Sequence, residues 1–199
     1  RGEERGVLWV DAHADANTPA SSPSGNLHGM PLGLLLRLCE PSSVAGFEWL
    51  GAGELAARLA PAKLAYVARR DLDAPERAVP RVLRAHGCYV STMHDVDARG
   101  VGPVVADALA SLGAGPLHLS RDIDALDPAV APATGTRVRG GLSCREGHYV
   151  AEAVAASGRL ASMDLVEVNS DLGTASAASE TVEIGLALVA SALGARIFD

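Results

Sequence analysis

Asp11-Ala12-His13-Ala14-Asp15 sets two carboxylates and an imidazole at alternate positions. In extended chain, alternate side chains project to one side, so three ligand-type groups converge. Carboxylates mixed with imidazole suit a hard or borderline divalent cation such as manganese. Taken alone, the pattern is explained as well by a solvated turn whose aspartates cap a following helix. Asp122-Ile123-Asp124 places two further carboxylates one spacer apart, where they repel unless a cation lies between them. Such a pair is common by itself; joined to the first motif it forms a two-metal hypothesis. Glu167 closes the apolar run before it and is placed to hold a cationic substrate group, although taken alone a cap or an ion pair is the favoured explanation. Ser24-Gly25-Asn26-Leu27-His28-Gly29 offers small and hydrogen-bonding groups suited to an amino-acid head group. His28 has the chemistry of a proton shuttle, against the bland reading of a surface loop histidine. His86, His94, His118 and His148 stand in no ligand-like cluster and read as structural or exposed.

Positioning these groups requires buried strands that end at them. Val7 to Val10 reads as a strand running into Asp11, and Leu117 to Ile123 as one running into the second pair. Further strands are expected over Lys63 to Ala68, Cys88 to Ser91 and Leu160 to Val168. Helices are expected over Pro31 to Leu38, Ala74 to Ala85 (interrupted by Pro80) and Val101 to Leu112. Another begins at Ser143, where Glu146 completes a capping box. The last runs from Ser179 to Leu193, with Val182, Leu186, Val189 and Leu193 on one face. Ala45 to Gly53 and Pro128 to Gly141 read as loops. Alternating strands and helices predict a parallel sheet covered on both faces, with chemistry gathered beyond the carboxyl ends of its strands.

The bulk composition agrees with a globular fold. Of the 199 residues, 48% are hydrophobic and 21% charged, which excludes a disordered tail. A net charge of −7 argues against nucleic-acid backbones as partners. Cys39, Cys88 and Cys144 form no CxxC pair, so a reducing, cytoplasmic setting is expected rather than a disulfide framework. Apolar runs such as Ile184 to Leu193 are too short to span a bilayer, so no membrane association is expected. The start, Arg1-Gly2-Glu3-Glu4-Arg5, has no leader-like stretch and no initiator Met, which suggests missing upstream sequence.

Trp9 to Pro19, Ser24 to Gly29, Asp122 to Pro128 with Pro132 to Thr136, Gly140 to Gly147, and Glu167-Val168-Asn169 together resemble the arginases, in that family's order. The resemblance runs over nearly the whole chain. It implies a three-layer α/β/α sandwich with a mostly parallel sheet, here a single domain over residues 1–199 lacking its N-terminal strands. It also implies a binuclear manganese (Mn2+) hydrolase that releases urea from a guanidinium group. By position, Asp11, His13, Asp15, Asp122 and Asp124 match metal ligands. His28 matches the proton-shuttling histidine, Asp15 a residue that orients the nucleophile, and Glu167 the carboxylate that grips the guanidinium. Asn17, Ser24 and Asn26 match positions accepting the substrate α-carboxylate, Asp73 and Glu76 those serving its α-amino group, and Thr136 a further substrate-side position. This polar set favours L-arginine, giving L-ornithine and urea; an agmatine-cleaving ureohydrolase and a non-catalytic remnant are the alternatives. Homo-oligomers, commonly trimers, are implied as well.

Three departures stand out. The family supplies another histidine ligand from a Gly-Gly-Asp-His motif upstream of Asp11, whereas none of the ten residues here before Asp11 is histidine. One metal is then expected to bind through fewer ligands. Arg121 and Arg69 interrupt apolar strands; strand alternation puts Arg121 on the face of Leu119 and Ile123, where an unpaired charge is costly. Ser170 stands where the family often has Pro.

Overall fold

The computed structural model describes residues 4–51, 58–74 and 76–196. Arg1-Gly2-Glu3, the last part of the expected loop Ala45 to Gly53, and Pro75 within the expected helix lie outside the described residues.

Five strands form one parallel sheet: β1 (Gly6–Val10), β2 (Leu64–Arg69), β3 (Tyr89–Thr92), β4 (Leu117–Asp122) and β5 (Leu160–Val166), in the order β3-β2-β1-β4-β5. The apolar runs read as strands in the sequence are these strands, and β1 and β2 are buried almost throughout. From β1 the chain winds outward to β3, then returns to the other side of β1 for β4 and β5. The winding direction reverses between β1 and β4, and the crevice beyond their carboxyl ends is where open parallel sheets bind ligands.

Helices cover both faces, as the three-layer expectation requires. On one face Leu8, Val10, Val67 and Leu119 pack with α4 (Val101–Ser111), α5 (Cys144–Ala156) and α6 (Ala175–Ala192). On the other, Trp9, Tyr66 and Val90 pack with α1 (Pro31–Leu35) and α2 (Val79–Ala85). Among the described residues no helix is long and apolar enough to cross a membrane.

Element ends differ from the sequence reading for local reasons. α1 stops at Leu35 rather than Leu38, because Arg37 takes φ 57° and the Leu38 N–H turns back to the Gly33 carbonyl at 2.9 Å. Pro80 does not interrupt a helix; it sits in the first turn of α2, where its missing N–H is harmless. A short helix, α3 (Met93–Arg99), was not foreseen: Thr92 and Asp95 form its capping box, and Gly100 at φ 83° separates it from α4. α6 begins before Ser179, capped by Thr174.

The apolar stripe expected on α6 faces outward: Leu186 is 66% and Leu193 70% exposed. Its inner face is built of small residues, Ala178, Gly185 and Ala192, with Thr181 and Leu188. A Cβ at Gly185 would come within 3.0 Å of Leu165, so close helix-to-sheet approach selects small side chains over large apolar ones.

Candidate metal centre and active-site cleft

The β1 end supplies Asp11 and His13, and the β4 end supplies Asp122 and Asp124. One ligand atom each from Asp11, His13 and Asp124 lies within 4.8 Å of the other two. His13 Nδ1 is 3.0 Å from Asp124 Oδ2 and 3.5 Å from Asp11 Oδ1. Asp11 and Asp124, each 1% exposed, form the floor. Among the described residues no second histidine joins this group.

Local hydrogen bonds fix its shape. The Trp9 indole N–H donates to Asp11 Oδ2 (2.9 Å), and the His13 backbone N–H to Asp11 Oδ1 (2.6 Å). The Asp124 N–H donates to Asp122 Oδ1 (2.7 Å), and the Ala12 N–H reaches across to Asp124 Oδ1 (3.3 Å). Asp15 takes φ 49°, and its carbonyl accepts the Leu32 N–H at 2.8 Å, tying the motif to α1. Glu167 takes φ 63°, which ends β5 before the expected Val168 and sets its carboxylate at the sheet edge. Left-handed backbone at two non-glycine residues costs energy, and such strain gathers at functional sites.

Above the floor opens a cleft of about 460 Å³. Its walls include His13, Asp15, Asn17, Ser24, Asn26, His28, Asp73, Glu76, Asp122, Thr136 and Glu167. Every candidate residue read from the sequence therefore borders this cleft or, for Asp11 and Asp124, lies directly under it. His28 Nδ1 is 3.7 Å from Glu167 Oε1. The buried Asn17 donates from Nδ2 to Asp73 Oδ2 (3.1 Å), and Glu76 accepts the Ala16 N–H (3.1 Å). A Cβ at Gly33 would lie 2.1 Å from the Asn17 carbonyl oxygen, so glycine there is what lets α1 approach Asn17. Thr136 Oγ1 donates to Asp124 Oδ2 (3.1 Å), so its hydroxyl is engaged with the carboxylate floor while its residue borders the cleft.

The electrostatics show what this donor set asks for. Burial, reinforced by the charge of Asp11, pushes the Asp15 carboxyl up to about 9 and that of Asp122 up to about 10. Burial also raises Asp11. For His13 burial works downward, but hydrogen bonds to Asp11 and Asp124 outweigh it and raise the imidazole to about 11. Burial works upward on Asp124, and the His13 contact overrides it to hold that carboxyl below its usual range. Carboxylates crowded this closely hold protons for want of stronger positive charge. Their number, and the single imidazole, fit a hard or borderline divalent cation.

Three contributors were given no role by the sequence. Arg70, beyond β2, donates to the carbonyls of Asp124 (2.6 Å), Val138 (2.7 Å) and Leu126 (3.2 Å). It thereby staples the turn carrying Asp124 to the loop carrying Thr136. A Cβ at Gly141 would meet Arg70 Nη2 at 2.7 Å and Asp127 N at 2.6 Å, so that staple needs glycine. Asp71 lines the cleft with Oδ2 3.9 Å from His13 Nε2, and Trp9 orients Asp11 as described. A lone arginine, a third acidic group and a strand tryptophan have readier structural explanations in a bare sequence.

Comparison with known proteins agrees with this geometry. The profile described as "Arginase family" matches residues 1–194. Arginase from Coccidioides posadasii is 52% identical over 194 residues, covering 97% of this chain and 58% of its own length. The crystal structure of Bacillus subtilis arginase superposes with TM-score 0.85 at 37% identity, covering 98% of this chain and 65% of that one. Entamoeba histolytica arginase, solved in complex with L-ornithine, gives TM-score 0.82 at 30% identity, covering 96% of this chain and 60% of that one. The chain thus spans 58% of the length of the Coccidioides relative and somewhat more of the solved ones.

Proposed function

The chain belongs to the arginase family, and from that premise we propose that it hydrolyses the guanidinium group of L-arginine to L-ornithine and urea with two manganese ions. The observation that carries this reading is the meeting of Asp11 and His13, from one strand end, with Asp124 from another, within 4.8 Å. Had these termini lain apart, no shared cation site could exist.

Asp11, His13, Asp15, Asp122 and Asp124 would hold the metal pair. Bound there, it would supply Lewis-acid activation of a water at neutral pH. Glu167 pairs with the substrate guanidinium, while Asp15 orients the attacking water and takes up its proton. Addition of the water oxygen to the guanidinium carbon is followed by cleavage of the bond from that carbon to the side-chain nitrogen. The departing amine needs a proton, and His28, beside Glu167, relays it. Asn17, Ser24 and Asn26 receive the α-carboxylate at the mouth; Asp73 and Glu76 serve the α-amino group. The Entamoeba relative's complex with L-ornithine supports an amino-acid ligand in this cleft. Trimeric assembly belongs to the same reading and is checked by light scattering.

Urea release from L-arginine and from agmatine, with manganese saturating, tests the proposal. Faster turnover of L-arginine is expected. Equal turnover of agmatine overturns the substrate choice, and no urea from either overturns the activity.

A further inference from the structure

Six carboxyl side chains border the cleft, those of Asp15, Asp71, Asp73, Glu76, Asp122 and Glu167, against a single arginine or lysine, Arg137, among the described residues. Such a wall attracts the guanidinium and ammonium groups of a ligand and repels its carboxylate. Asn17, Ser24 and Asn26 can donate hydrogen bonds to that carboxylate, but they set no positive charge against it. Without a cation on the wall, charge alone would favour an amine lacking the carboxylate over an amino acid.

Arg137 is exposed, on the loop between β4 and α5. Its Nε donates to the Thr134 carbonyl at 3.3 Å, and its two Nη groups have no hydrogen-bond or ion-pair partner among the described residues. The residues on either side pin the loop. Thr136 Oγ1 donates to Asp124, and the Val138 carbonyl accepts from Arg70 Nη2 at 2.7 Å and from Nε at 3.2 Å. From Arg70 the chain continues into Asp71 and Asp73, and Asp73 accepts from Asn17 Nδ2. The loop is therefore fastened beside the stretch of wall that serves the amino-acid end of the ligand. A guanidinium fork with its outer donors uncommitted is matched to a carboxylate, which it can take by two parallel hydrogen bonds.

Resting on the hydrolase reading above, we infer that Arg137 decides between an amino acid and the corresponding amine in this cleft, by meeting the α-carboxylate at the rim.

The test compares L-ornithine with 1,4-diaminobutane, the same molecule without its carboxylate, by calorimetry on the whole chain with manganese saturating. The unaltered chain should bind L-ornithine the more tightly. Arg137→Gln should weaken L-ornithine about fivefold, the upper range for an exposed ion pair, and leave 1,4-diaminobutane unchanged. Arg137→Lys, which keeps the charge and loses the fork, should fall between the two. The KM for L-arginine should rise in the same order, and that for agmatine should not. L-Ornithine affinity that is insensitive to Arg137→Gln overturns this inference alone, as does an equal loss for both ligands. Binding of neither ligand by the unaltered chain overturns the amino-acid reading of the cleft, and this inference with it.

Discussion

His13 Nδ1 lies 3.0 Å from Oδ2 of Asp124, so an imidazole from the β1 end and a carboxylate from the β4 end form an ion pair across the switch point of the sheet. Asp11 and this contact with Asp124 together keep the imidazole protonated to about 11, whereas an imidazole that ligates a metal must be neutral. Cation binding must therefore expel a proton from His13, and others from Asp15 and Asp122, which hold theirs to about 9 and about 10. Manganese affinity should rise with pH between about 6 and about 9, with protons released. Calorimetry in buffers of different ionisation enthalpy measures that release; binding without proton release would refute the arrangement.

The same groups set the stability of the metal-free chain. The folded-state values of His13, Asp15 and Asp122 all stand above their ordinary values of 6.5, 3.8 and 3.8. A raised group contributes stability in full below its unfolded pKa and loses it as pH climbs through the folded one. Asp124, shifted downward, acts in the opposite sense, and its contribution is already complete at neutral pH. With a chelator present, Tm should fall as pH rises from about 6 to about 9, and added manganese should restore most at the alkaline end. A Tm that climbs over that range without metal would contradict the assigned shifts.

Metal stoichiometry should be uneven. Asp11, His13 and Asp124 form a compact three-ligand group, whereas Asp15 and Asp122 flank it without a second histidine among the described residues. Elemental analysis after dialysis should find close to one tightly held manganese per chain, the second site filling only at higher free metal. Two ions retained through dialysis would refute that inequality.

His28→Asn should lower kcat roughly a hundredfold or more, the usual contribution of a positioned acid–base group, with metal content unchanged. Asp124→Asn, which weakens a floor ligand and the partner of His13, should instead lose the metal. A metal-poor His28→Asn variant would mean that His28 belongs to the metal site and not to proton relay.

Much of this was legible in the sequence because buried parallel strands are written as unbroken apolar runs and ligands sit where the runs stop. Val7 to Val10 into Asp11, and Leu117 into Asp122, are the cases that located the centre. Other features had weaker signatures. α3 hides behind a capping box that uses Asp95 rather than Glu, and the inner face of α6 is marked by small residues that periodicity in large ones overlooks. The left-handed backbone at Asp15 and Glu167 has no glycine to announce it. The Arg70 staple joins segments far apart in the chain, and no local pattern encodes that pairing.

Arg121 is the clearest conflict between sequence and fold. It is 1% exposed on β4, donates one hydrogen bond to the Gly147 carbonyl (3.1 Å), and leaves Nε and Nη2 without acceptors among the described residues. Burial alone pushes its guanidinium down to about 10, so it remains charged at neutral pH inside the packing between β4 and α5. Replacing a buried, poorly compensated charge by an apolar side chain of similar volume is often stabilising by roughly 1–4 kcal/mol. Arg121→Met should therefore raise Tm by several degrees, on the order of 2–4 °C per kcal/mol for a chain of this size. Gly147→Ala should act in the opposite direction, because its Cβ would meet Leu126 at 2.8 Å and Arg121 Nη2 at 3.0 Å. In the Arg121→Met background the second of those clashes is relieved as the flexible methionine yields, so the alanine should cost less there than in the parent. Equal losses in the two backgrounds would show that Arg121 does not press on Gly147, and a lower Tm for Arg121→Met itself would mean the buried charge has a partner that stabilises it.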